Sequence, residues 1–379
     1  MKGKQGLVCM GLLLVLSSCS CHTGKQITAS GLQRKDFQTE VNGQHTDLFT
    51  LSNKQGMEVC ITNYGARVVS ILVPDRNGKR EDVVCGFSTI TEYMEQRQNF
   101  GSTVGRYIGR ILNARFTLDG VEYKLVPNNG KSGHISHGGN PGFADRMWKV
   151  EQADTHRVRL SYLSPDGENG FPGNLKVTLV YSLGEDDNAL DLTYEATTDA
   201  PTVLNLSHHS FFNISGNFTK SVEDQQLWVD ADRFTPYDDK KCVTGEYLQV
   251  AGTPLDFRMP HAIGECIDAD HPQLKVVNGY DHTWELNTKG DDTRPAAWVY
   301  DPASGRKMEI FTTEPGMQIY TGNGLKGKMT GKGGIAYPFR SAVCFETMHF
   351  QDSPNQPGFP STVLRPGEVF RSHTVYKFE

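Results

Sequence analysis

From residue 36 onward the chain is a series of short apolar or alternating segments separated by turn residues. Residues 157–162, Arg-Val-Arg-Leu-Ser-Tyr, alternate polar and apolar side chains, which is the period of a strand with one buried face. Residues 67–73 are rich in β-branched side chains and end at Pro74, before the turn sequence Asp-Arg-Asn-Gly. Residues 175–183 and 189–196 flank the polar run Gly-Glu-Asp-Asp-Asn and predict a β-hairpin.

A helix is predicted only for residues 89–97, and it is short. The 39 glycines and 18 prolines are spread along the chain as turn residues are, and they form no low-complexity segment. We find no internal repeat and no linker after residue 35. The pattern therefore predicts an all-β fold in which residues 36–379 form a single domain, a large antiparallel β-sandwich.

The first 35 residues have a different character. Lys2 and Lys4 precede an apolar run at 7–16, which is too short for the roughly 20 residues that span a bilayer. Residues 16–19, Leu-Ser-Ser-Cys, resemble a bacterial lipobox, so we predict a lipoprotein signal peptide at 1–18 and lipidation of Cys19. An ordinary secretory signal with a chance cysteine is the alternative. Residues 19–35 are then the lipidated cysteine and a flexible tether of an exported, membrane-anchored protein on the periplasmic or cell-surface side.

Composition narrows the function further. The net charge of −6 and the isoelectric point near 6.1 exclude the basic face of a nucleic-acid-binding protein. The cysteines that follow the lipobox are far apart and contain no CxxC pair, so they predict neither a disulfide framework nor a zinc ribbon. We expect most of them to be buried as small apolar side chains. They are Cys21, Cys60, Cys85, Cys242, Cys266 and Cys344.

Two stretches carry the clearest candidate chemistry. His208 and His209 are adjacent in a segment flanked by apolar residues, and neighbours on a strand point to opposite faces. At most one of the two therefore faces a pocket. Glu346 lies alone in the apolar segment 342–350, where desolvation would raise its pKa toward neutrality, as a general base requires. The alternative for Glu346 is a surface position on an edge strand.

Histidines and arginines elsewhere have two readings each. Arg106 and Arg110 stand four apart among glycines and apolar residues, over a cleft or in a surface salt bridge. His134 and His137 are three apart, but the glycines beside them disfavour a helix and no third ligand has a fixed spacing, so we predict no metal site. Glycines after His137 would let backbone approach a ligand closely.

The other candidates are an aromatic pair, a carboxylate and a glycine motif. Phe143 and Trp148 offer either an apolar face for a sugar ring or core packing. Asp281 lies where a loop enters a strand, which suits an Asx turn as well as a binding role. Residues 322–327 match GxGxxG, yet a turn follows instead of a helix, so dinucleotide binding is rejected.

Taken together and in order, these stretches resemble the aldose 1-epimerase (galactose mutarotase) family over nearly the whole of residues 36–379. Each motif alone is weak, but six in the family's order are highly specific. The matching segments are 105–111, 137–143, 205–213, 279–282, 314–323 and 346–360, including Gly105-Arg106, His137-Gly138-Gly139, Gly279-Tyr280-Asp281-His282, Glu314-Pro315-Gly316 and Glu346-Thr347.

The resemblance implies a galactose mutarotase-like supersandwich with an open cleft for a small monosaccharide. It also implies cofactor-free interconversion of the α and β anomers of free hexoses such as galactose and glucose, by ring opening and reclosure. Glu346 falls at the family's general base, which removes the proton of the C1 hydroxyl. His209 falls at the general acid, which protonates the ring oxygen, and His137 at the second histidine, which assists there. The positions that hold sugar hydroxyls correspond to Arg110, Asp281 and Gln318. Such an acid–base pair predicts a bell-shaped pH profile.

The chain departs from the family's pattern at two positions. Gly109 stands where Asn is common directly before the arginine, and Met348 stands where Gln is frequent after Glu-Thr. Three alternative functions remain open: a non-catalytic glycan-binding surface lipoprotein, a glycoside hydrolase that uses Asp281 and Glu346, and a mutarotase for a sugar phosphate. Only the mutarotase of a free sugar needs Glu346 and His209 together and nothing else.

Overall fold

Strands and short helices alternate along the part of the chain that the structure, a computed structural model, describes, which is residues 26–379. The two α-helices are α1 Ile90–Gln96 and α2 Pro272–Val277. The strands up to the middle of the chain are β1 Glu40–Val41, β2 Gln44–His45, β3 Leu48–Ser52, β4 Glu58–Thr62, β5 Arg67–Pro74, β6 Arg80–Asp82, β7 Ser102–Val104, β8 Arg110–Ile111, β9 Arg115–Leu118, β10 Val121–Lys124, β11 Ile135–Ser136, β12 Lys149–Ala153, β13 Arg157–Ser164, β14 Leu175–Leu183 and β15 Ala189–Thr198.

The second half adds β16 Thr202–Val203, β17 Ser207–His209, β18 Phe211–Phe212, β19 Gln226–Val229, β20 Arg233–Thr235, β21 Leu248–Gln249, β22 His261–Ala262, β23 Asp281–Glu285, β24 Ala297–Tyr300, β25 Lys307–Thr312, β26 Gly316–Tyr320, β27 Val343–Met348, β28 Val363–Leu364 and β29 Phe370–Phe378. Short 3₁₀ helices cover Arg34–Phe37, Leu112–Ala114, Gly130–Ser132, Phe143–Asp145, Glu168–Gly170, Ile263–Glu265, Lys332–Gly334 and Ser353–Asn355.

Three larger antiparallel sheets dominate the molecule. A nine-stranded sheet has the order β12-β13-β14-β15-β29-β25-β24-β19-β22, and a six-stranded sheet has the order β18-β27-β26-β23-β20-β21. A four-stranded sheet runs β3-β4-β5-β6. One continuous apolar core joins them, with Leu179 and Tyr376 from the nine-stranded sheet, Ile319 and Phe345 from the six-stranded sheet, and Ile71 from the third. The antiparallel β-sandwich predicted from the sequence is confirmed.

Burial patterns show why the sequence was informative for the strands. Along β14 every second residue is buried, as the alternation of its apolar side chains requires when one face meets the core. It pairs with β15 from Leu175↔Thr198 to Leu183↔Leu190, which is the predicted hairpin. By contrast, all six residues of β27 are buried, because this strand has protein on both of its faces. A polar side chain on β27 is therefore enclosed wherever it points.

The predicted helix at 89–97 is confirmed as α1. Thr89 caps it by accepting a hydrogen bond from the Glu92 N–H, and the Glu92 carboxylate returns to the Thr89 N–H, a reciprocal capping box. Helix α2 was not predicted, because six residues are too few for a helical period to stand out. Within residues 26–379, none of the helices has the length and apolar content needed to cross a bilayer.

The N-terminal boundary needs a correction. The predicted signal peptide at 1–18 and Cys19 lie outside the described residues. The end of the predicted tether does not behave as one, because Leu32 is buried in a core cluster with Phe37. The Ala29 N–H also donates to Glu58 Oε1 at 2.7 Å. The prediction of a free tether up to residue 35 is thus wrong for the segment around Thr28 to Leu32, because a polar composition conceals one apolar anchor.

Candidate active site

A cleft of about 250 Å³ opens over the central strands of the six-stranded sheet. It gathers all six residues singled out for chemistry or sugar binding: Arg110, His137, His209, Asp281, Gln318 and Glu346. These come from five strands and one loop that are far apart in sequence. Strands β23, β26 and β27 are adjacent in the sheet, so Asp281, Gln318 and Glu346 lie side by side, with Gln318 directly opposite Glu346. The antiparallel register therefore places the carboxylates at the cleft.

Glu346 and His209 are in direct contact. His209 Nε2 lies 3.2 Å from Glu346 Oε1, and both side chains are buried. Burial raises the pKa of Glu346 well above its ordinary value, and the negative charge of Asp281 adds to that effect. Burial, together with nearby His137, lowers the pKa of His209 well below its ordinary value. Both shifts disfavour charge, so they favour the form of the pair in which Glu346 is protonated and His209 is neutral.

Three residues, Glu346, Cys344 and Phe211, contact the His209 ring and fix its orientation. Its Nδ1 lies 3.6 Å from Cys344 Sγ, and Cys344 stands two residues before Glu346 on the same face of β27. Phe211 stacks on the ring with centroids 5.0 Å apart and planes inclined by 19°. His209 thus has little freedom to rotate away from Glu346. A fixed ring orientation is what a proton donor to a bound substrate requires.

His208 faces the opposite side of β17. Its Nε2 is 2.7 Å from Ser210 Oγ, its Nδ1 is 3.4 Å from the Tyr181 hydroxyl, and burial lowers its pKa to about 3. It is a neutral core histidine behind the cleft. The expectation that only one of the two adjacent histidines faces a pocket is confirmed.

His137 lies across the cleft with its ring centroid 5.5 Å from that of His209. Burial, followed by the charge of Arg110, lowers its pKa to about 4, so it is neutral at pH 7. The close backbone approach predicted after His137 exists, but it is made by the protein itself. A Cβ on Gly138 would lie 1.9 Å from the Gly105 carbonyl oxygen, at a φ of +79°. The absence of a side chain at Gly138 therefore allows the loop that carries His137 to pack directly against the backbone of Gly105 and Arg106.

A hydrogen-bonded network of side chains forms the rest of the cleft floor. Gln318 Nε2 donates to Asp281 Oδ1 at 2.7 Å, and the Thr283 hydroxyl donates to Gln318 Oε1. Gln351 Nε2 donates to the Tyr237 hydroxyl at 2.7 Å. Burial raises the pKa of Asp281, while Arg110 and the Gln318 amide act in the opposite direction. Amides and a carboxylate in these positions match the donors and acceptors of sugar hydroxyls.

The structure separates the two arginines. Arg110 lines the cleft, whereas Arg106 is buried and its guanidinium donates to the carbonyls of Pro172 and Gly173 and to Ser164 Oγ. Arg106 is therefore a structural residue, and the idea that both arginines reach over a cleft is wrong for it. Its burial in a loop junction could not be distinguished from the cleft position of Arg110 by spacing alone.

Phe143 and Trp148 belong to the core. Both are almost completely buried, and the Trp148 indole donates to the Phe143 carbonyl, so neither offers a face to a sugar. Phe211 and Tyr320 line the cleft in their place. Asn99, Ser136, Met348 and Gln351 also line it. Phe211, Tyr320, Met348 and Gln351 lie within the matching segments without a predicted site role, and Asn99 lies outside all of them.

Histidine–metal chemistry has one possible location among residues 26–379. Ligand atoms of His209, Cys344 and Glu346 lie within 4.8 Å of one another. However, the two shortest contacts of His209 use different nitrogens, Nδ1 toward the thiol and Nε2 toward the carboxylate. Burial also raises the pKa of the Cys344 thiol well above its ordinary value, and metal ligation needs the thiolate. His134 is not near this group; its Nδ1 accepts from the Asn113 N–H and its Nε2 lies 3.3 Å from Cys242 Sγ. Acid–base chemistry fits the group better.

Comparison with known proteins agrees with this geometry. A model of the aldose 1-epimerase family matches residues 47–377, a range that includes every residue of the cleft. Galactose mutarotase from Bos taurus is 40% identical over 331 residues, which are 87% of this chain and 93% of that protein. Aldose 1-epimerase from Escherichia coli strain K12 is 36% identical over 339 residues, or 89% and 96% of the two chains. The crystal structure of an aldose epimerase homologue from C. elegans superposes with a TM-score of 0.81 at 31% identity, covering 88% of this chain and 99% of that one.

Proposed function

The chain belongs to the aldose 1-epimerase family and interconverts hexose anomers, and we propose that Glu346 is the general base and His209 the general acid of that reaction. The observation that carries the assignment is the 3.2 Å contact between His209 Nε2 and Glu346 Oε1 in a buried cleft. The C1 hydroxyl and the ring oxygen of an aldose are both bonded to C1. Two groups that reach both oxygens must therefore lie close together, as these two do.

The proton transfers then follow from this pair. Glu346 as carboxylate removes the proton of the C1 hydroxyl, the bond between C1 and the ring oxygen breaks, and His209 as imidazolium gives its proton to the ring oxygen. The product is the open-chain aldehyde, with Glu346 protonated and His209 neutral. Rotation about C1–C2 presents the other face of the carbonyl, and both transfers reverse. The pair carries one proton throughout, which is the state that the opposed pKa shifts favour.

The remaining cleft residues position the sugar. Neutral His137, 5.5 Å from His209 between ring centroids, donates a hydrogen bond to the ring oxygen. Asp281, Gln318 and Arg110 hold the other hydroxyls on either side of the reacting carbon. We propose galactose and glucose as substrates, because relatives of this similarity are named for galactose and for aldoses in general. None of the proposed reaction steps uses a cofactor.

A polarimeter tests the proposal directly. Freshly dissolved α-D-galactose, and then α-D-glucose, is followed with the soluble fragment that begins after Cys21, beside Glu346→Gln and the exposed control Glu95→Gln. We expect wild type and control to accelerate the approach to equilibrium equally. Glu346→Gln should lose about 10²-fold or more, the usual contribution of a positioned acid–base group. Equal rates for buffer and wild type with both sugars would remove the proposal and favour a glycan-binding protein.

We also propose that Cys19 is lipidated and that the protein is exported and anchored to a membrane. Support comes from the sequence alone, from the apolar run at 7–16 and the Leu-Ser-Ser-Cys motif. Labelled palmitate should enter the full-length protein and not Cys19→Ser, and the variant should leave the membrane fraction. Unlabelled wild-type protein in the soluble fraction would favour the ordinary secretory signal.

A further inference from the structure

Gln351 is a buried amide in the floor of the cleft, and the acid–base chemistry gives it no task. It lies between the end of β27 and the 3₁₀ helix Ser353–Asn355, only 4% of its surface is exposed, and it lines the cleft. An amide side chain buried at that level is retained where its donors and acceptors are used. Its contacts therefore indicate what it does.

Each polar atom of Gln351 has a partner. Its Oε1 accepts from the backbone N–H of Arg110 at 3.3 Å. Its Nε2 donates to the Tyr237 hydroxyl at 2.7 Å and to Gln318 Oε1 at 3.3 Å. Because a backbone N–H can only donate, the oxygen end of the amide must face Arg110, and the nitrogen end must face Tyr237 and Gln318.

This orientation passes to Gln318. Gln318 Oε1 receives hydrogens from Gln351 and from the Thr283 hydroxyl, so its Nε2 end must face Asp281, to which it donates at 2.7 Å. One direction of hydrogen bonding thus runs from the Arg110 backbone through two amides to the Asp281 carboxylate. The sugar-facing atoms of Gln318 and Asp281 are presented in one arrangement rather than two.

The position of Gln351 also explains Gly109. A Cβ on Gly109 would lie 2.5 Å from Cγ of Gln351, closer than real Cβ atoms come, and 3.1 Å from its Cδ. The Gln351 side chain therefore fills the space where residue 109 would place its own side chain. Gly109 has a φ of +76°, a conformation that Asn, the family's common residue here, adopts more readily than most others. An Asn side chain at position 109 and the Gln351 side chain in its present conformation therefore could not both be accommodated.

We propose that Gln351 is a positioning residue for the sugar, which brings an amide into the space above Gly109 and orients Gln318 toward Asp281. The inference rests on the proposed function of the same cleft. According to this proposal, the Gln351 amide occupies the space that a side chain at position 109 would take, and so compensates for the glycine there.

Two sets of variants test this inference. The first is Gln351→Leu, made alone and in a Gln318→Ala background, beside the exposed control Gln249→Leu on β21. The second is the exchange, in which Gly109→Asn and Gln351→Ala are made singly and together. With alanine at 351 only its Cβ remains near position 109, at 3.4 Å. For every variant, kcat and KM are measured with galactose and glucose, and the thermal midpoint is recorded.

We expect Gln351→Leu to raise KM about 3- to 10-fold, the effect of losing one or two neutral hydrogen bonds, while kcat stays within about twofold. In the Gln318→Ala background the same change should add less than about twofold. Gly109→Asn alone should reduce kcat/KM, and the double exchange should restore most of that loss. The Gln249→Leu control should match wild type in all three quantities.

Three results would overturn the inference. They are an unchanged KM in Gln351→Leu, the same penalty with and without the Gln318 side chain, and no recovery in the double exchange. A loss of kcat that follows the thermal midpoint would show a merely structural role. Failure of the proposed function can be distinguished from failure of this inference alone. If the function is wrong, the wild-type protein leaves mutarotation at the buffer rate, and the inference about Gln351 is then wrong as well.

Discussion

At the scale of single residues, the site depends on one proton shared by two buried groups. Ordinary Glu and His side chains titrate near 4.3 and 6.5, so an unperturbed pair would exist as carboxylate and imidazolium only between those values. Here burial raises the pKa of Glu346 and lowers that of His209. Both shifts favour the uncharged pair, and the doubly charged and the neutral pair are two forms of a single one-proton state. Apparent pKa values then belong to the pair.

The sequence alone predicts a bell-shaped pH profile of kcat/KM, and the burial of the pair changes this expectation to a broad plateau with separated limbs. On the acid side activity falls when the pair gains a second proton, and the lowered pKa of His209 moves that limb downward. On the basic side activity falls when the pair loses its proton, and the raised pKa of Glu346 moves that limb upward. We expect polarimetric rates, after subtraction of the buffer rate, to be similar at pH 5.5 and pH 8. A narrow maximum between about pH 4.3 and 6.5 would show that the groups are unperturbed.

The same burial makes Glu346 a liability for stability. Because its folded pKa is raised, its contribution favours folding below the unfolded pKa of about 4.3 and is lost as pH rises toward the folded pKa. Glu346→Gln cannot ionise in the unfolded chain, so it should be inactive yet more stable at neutral pH. We expect its thermal midpoint to exceed that of wild type by about 2 °C or more at pH 8, with a smaller difference at pH 4. A variant that melts earlier at pH 8 would contradict the pKa shift.

Glu346 and His209, the proposed base and acid, could be singled out from the sequence because each has a signature that is visible without a structure. A glutamate inside an apolar strand and two histidines on alternating faces are visible in one dimension, and both expectations hold for Glu346 and His209. Gln351 has no such signature. Its role depends on contact with Gly109, 242 positions away in the chain, and only a folded structure brings those two segments together.

At the scale of elements, the segment around β8 shows that equal residues four apart serve different purposes. Arg106 satisfies the carbonyls of Pro172 and Gly173 from within the protein, with its charge offset by nearby carboxylates such as Glu168. Arg110 extends into the cleft beside His137 and Asp281, where it influences the pKa of both. Strand β8 and the turn before it thus direct the Arg106 side chain into the protein and the Arg110 side chain into the cleft.

Matched substitutions should separate these two roles. Arg106→Leu leaves buried carbonyl groups without donors, so urea unfolding should show a loss of about 3 kcal/mol or more, or little folded protein. Arg106→Lys should recover part of that stability. Arg110→Gln should unfold like wild type and raise the KM for galactose about tenfold or more, since a charged hydrogen bond to the sugar is lost. Equal stability of Arg106→Leu and Arg110→Gln would contradict the structural role of Arg106.

At the scale of the whole molecule, the strands were predictable and their order was not. Alternation along β13, β14 and β15 marks strands and a hairpin, because local neighbours decide it. Which strands meet across the nine-stranded sheet depends on contacts between distant segments, and no period in the sequence encodes them. The prediction that the tether extends to residue 35 was wrong for a related reason, because Leu32 is buried by residues that are distant from it in the sequence.

Removal of residues 26–37 should therefore weaken the fold and spare the chemistry. The segment buries Leu32 and Phe37, and each such side chain contributes roughly 1.5–3 kcal/mol. None of its residues lines the cleft. We expect a fragment that starts at Gln38 to unfold at lower urea than one that starts at Gln26, with an unchanged kcat for galactose at low temperature. Equal urea midpoints would show that the segment is a tether after all.

The position of the last strand has a consequence for how the protein is made. Strand β29 is the fifth of nine in its sheet, and it joins a four-stranded half ending in β15 to another ending in β25. A ribosome releases β29 after all the other strands, so the two halves cannot be joined until β29 has been made. The growing chain is thereby kept from closing prematurely, which suits the proposed passage through a membrane before folding. Loss of those final residues by a late stop codon would divide the largest sheet at its centre rather than trim its edge.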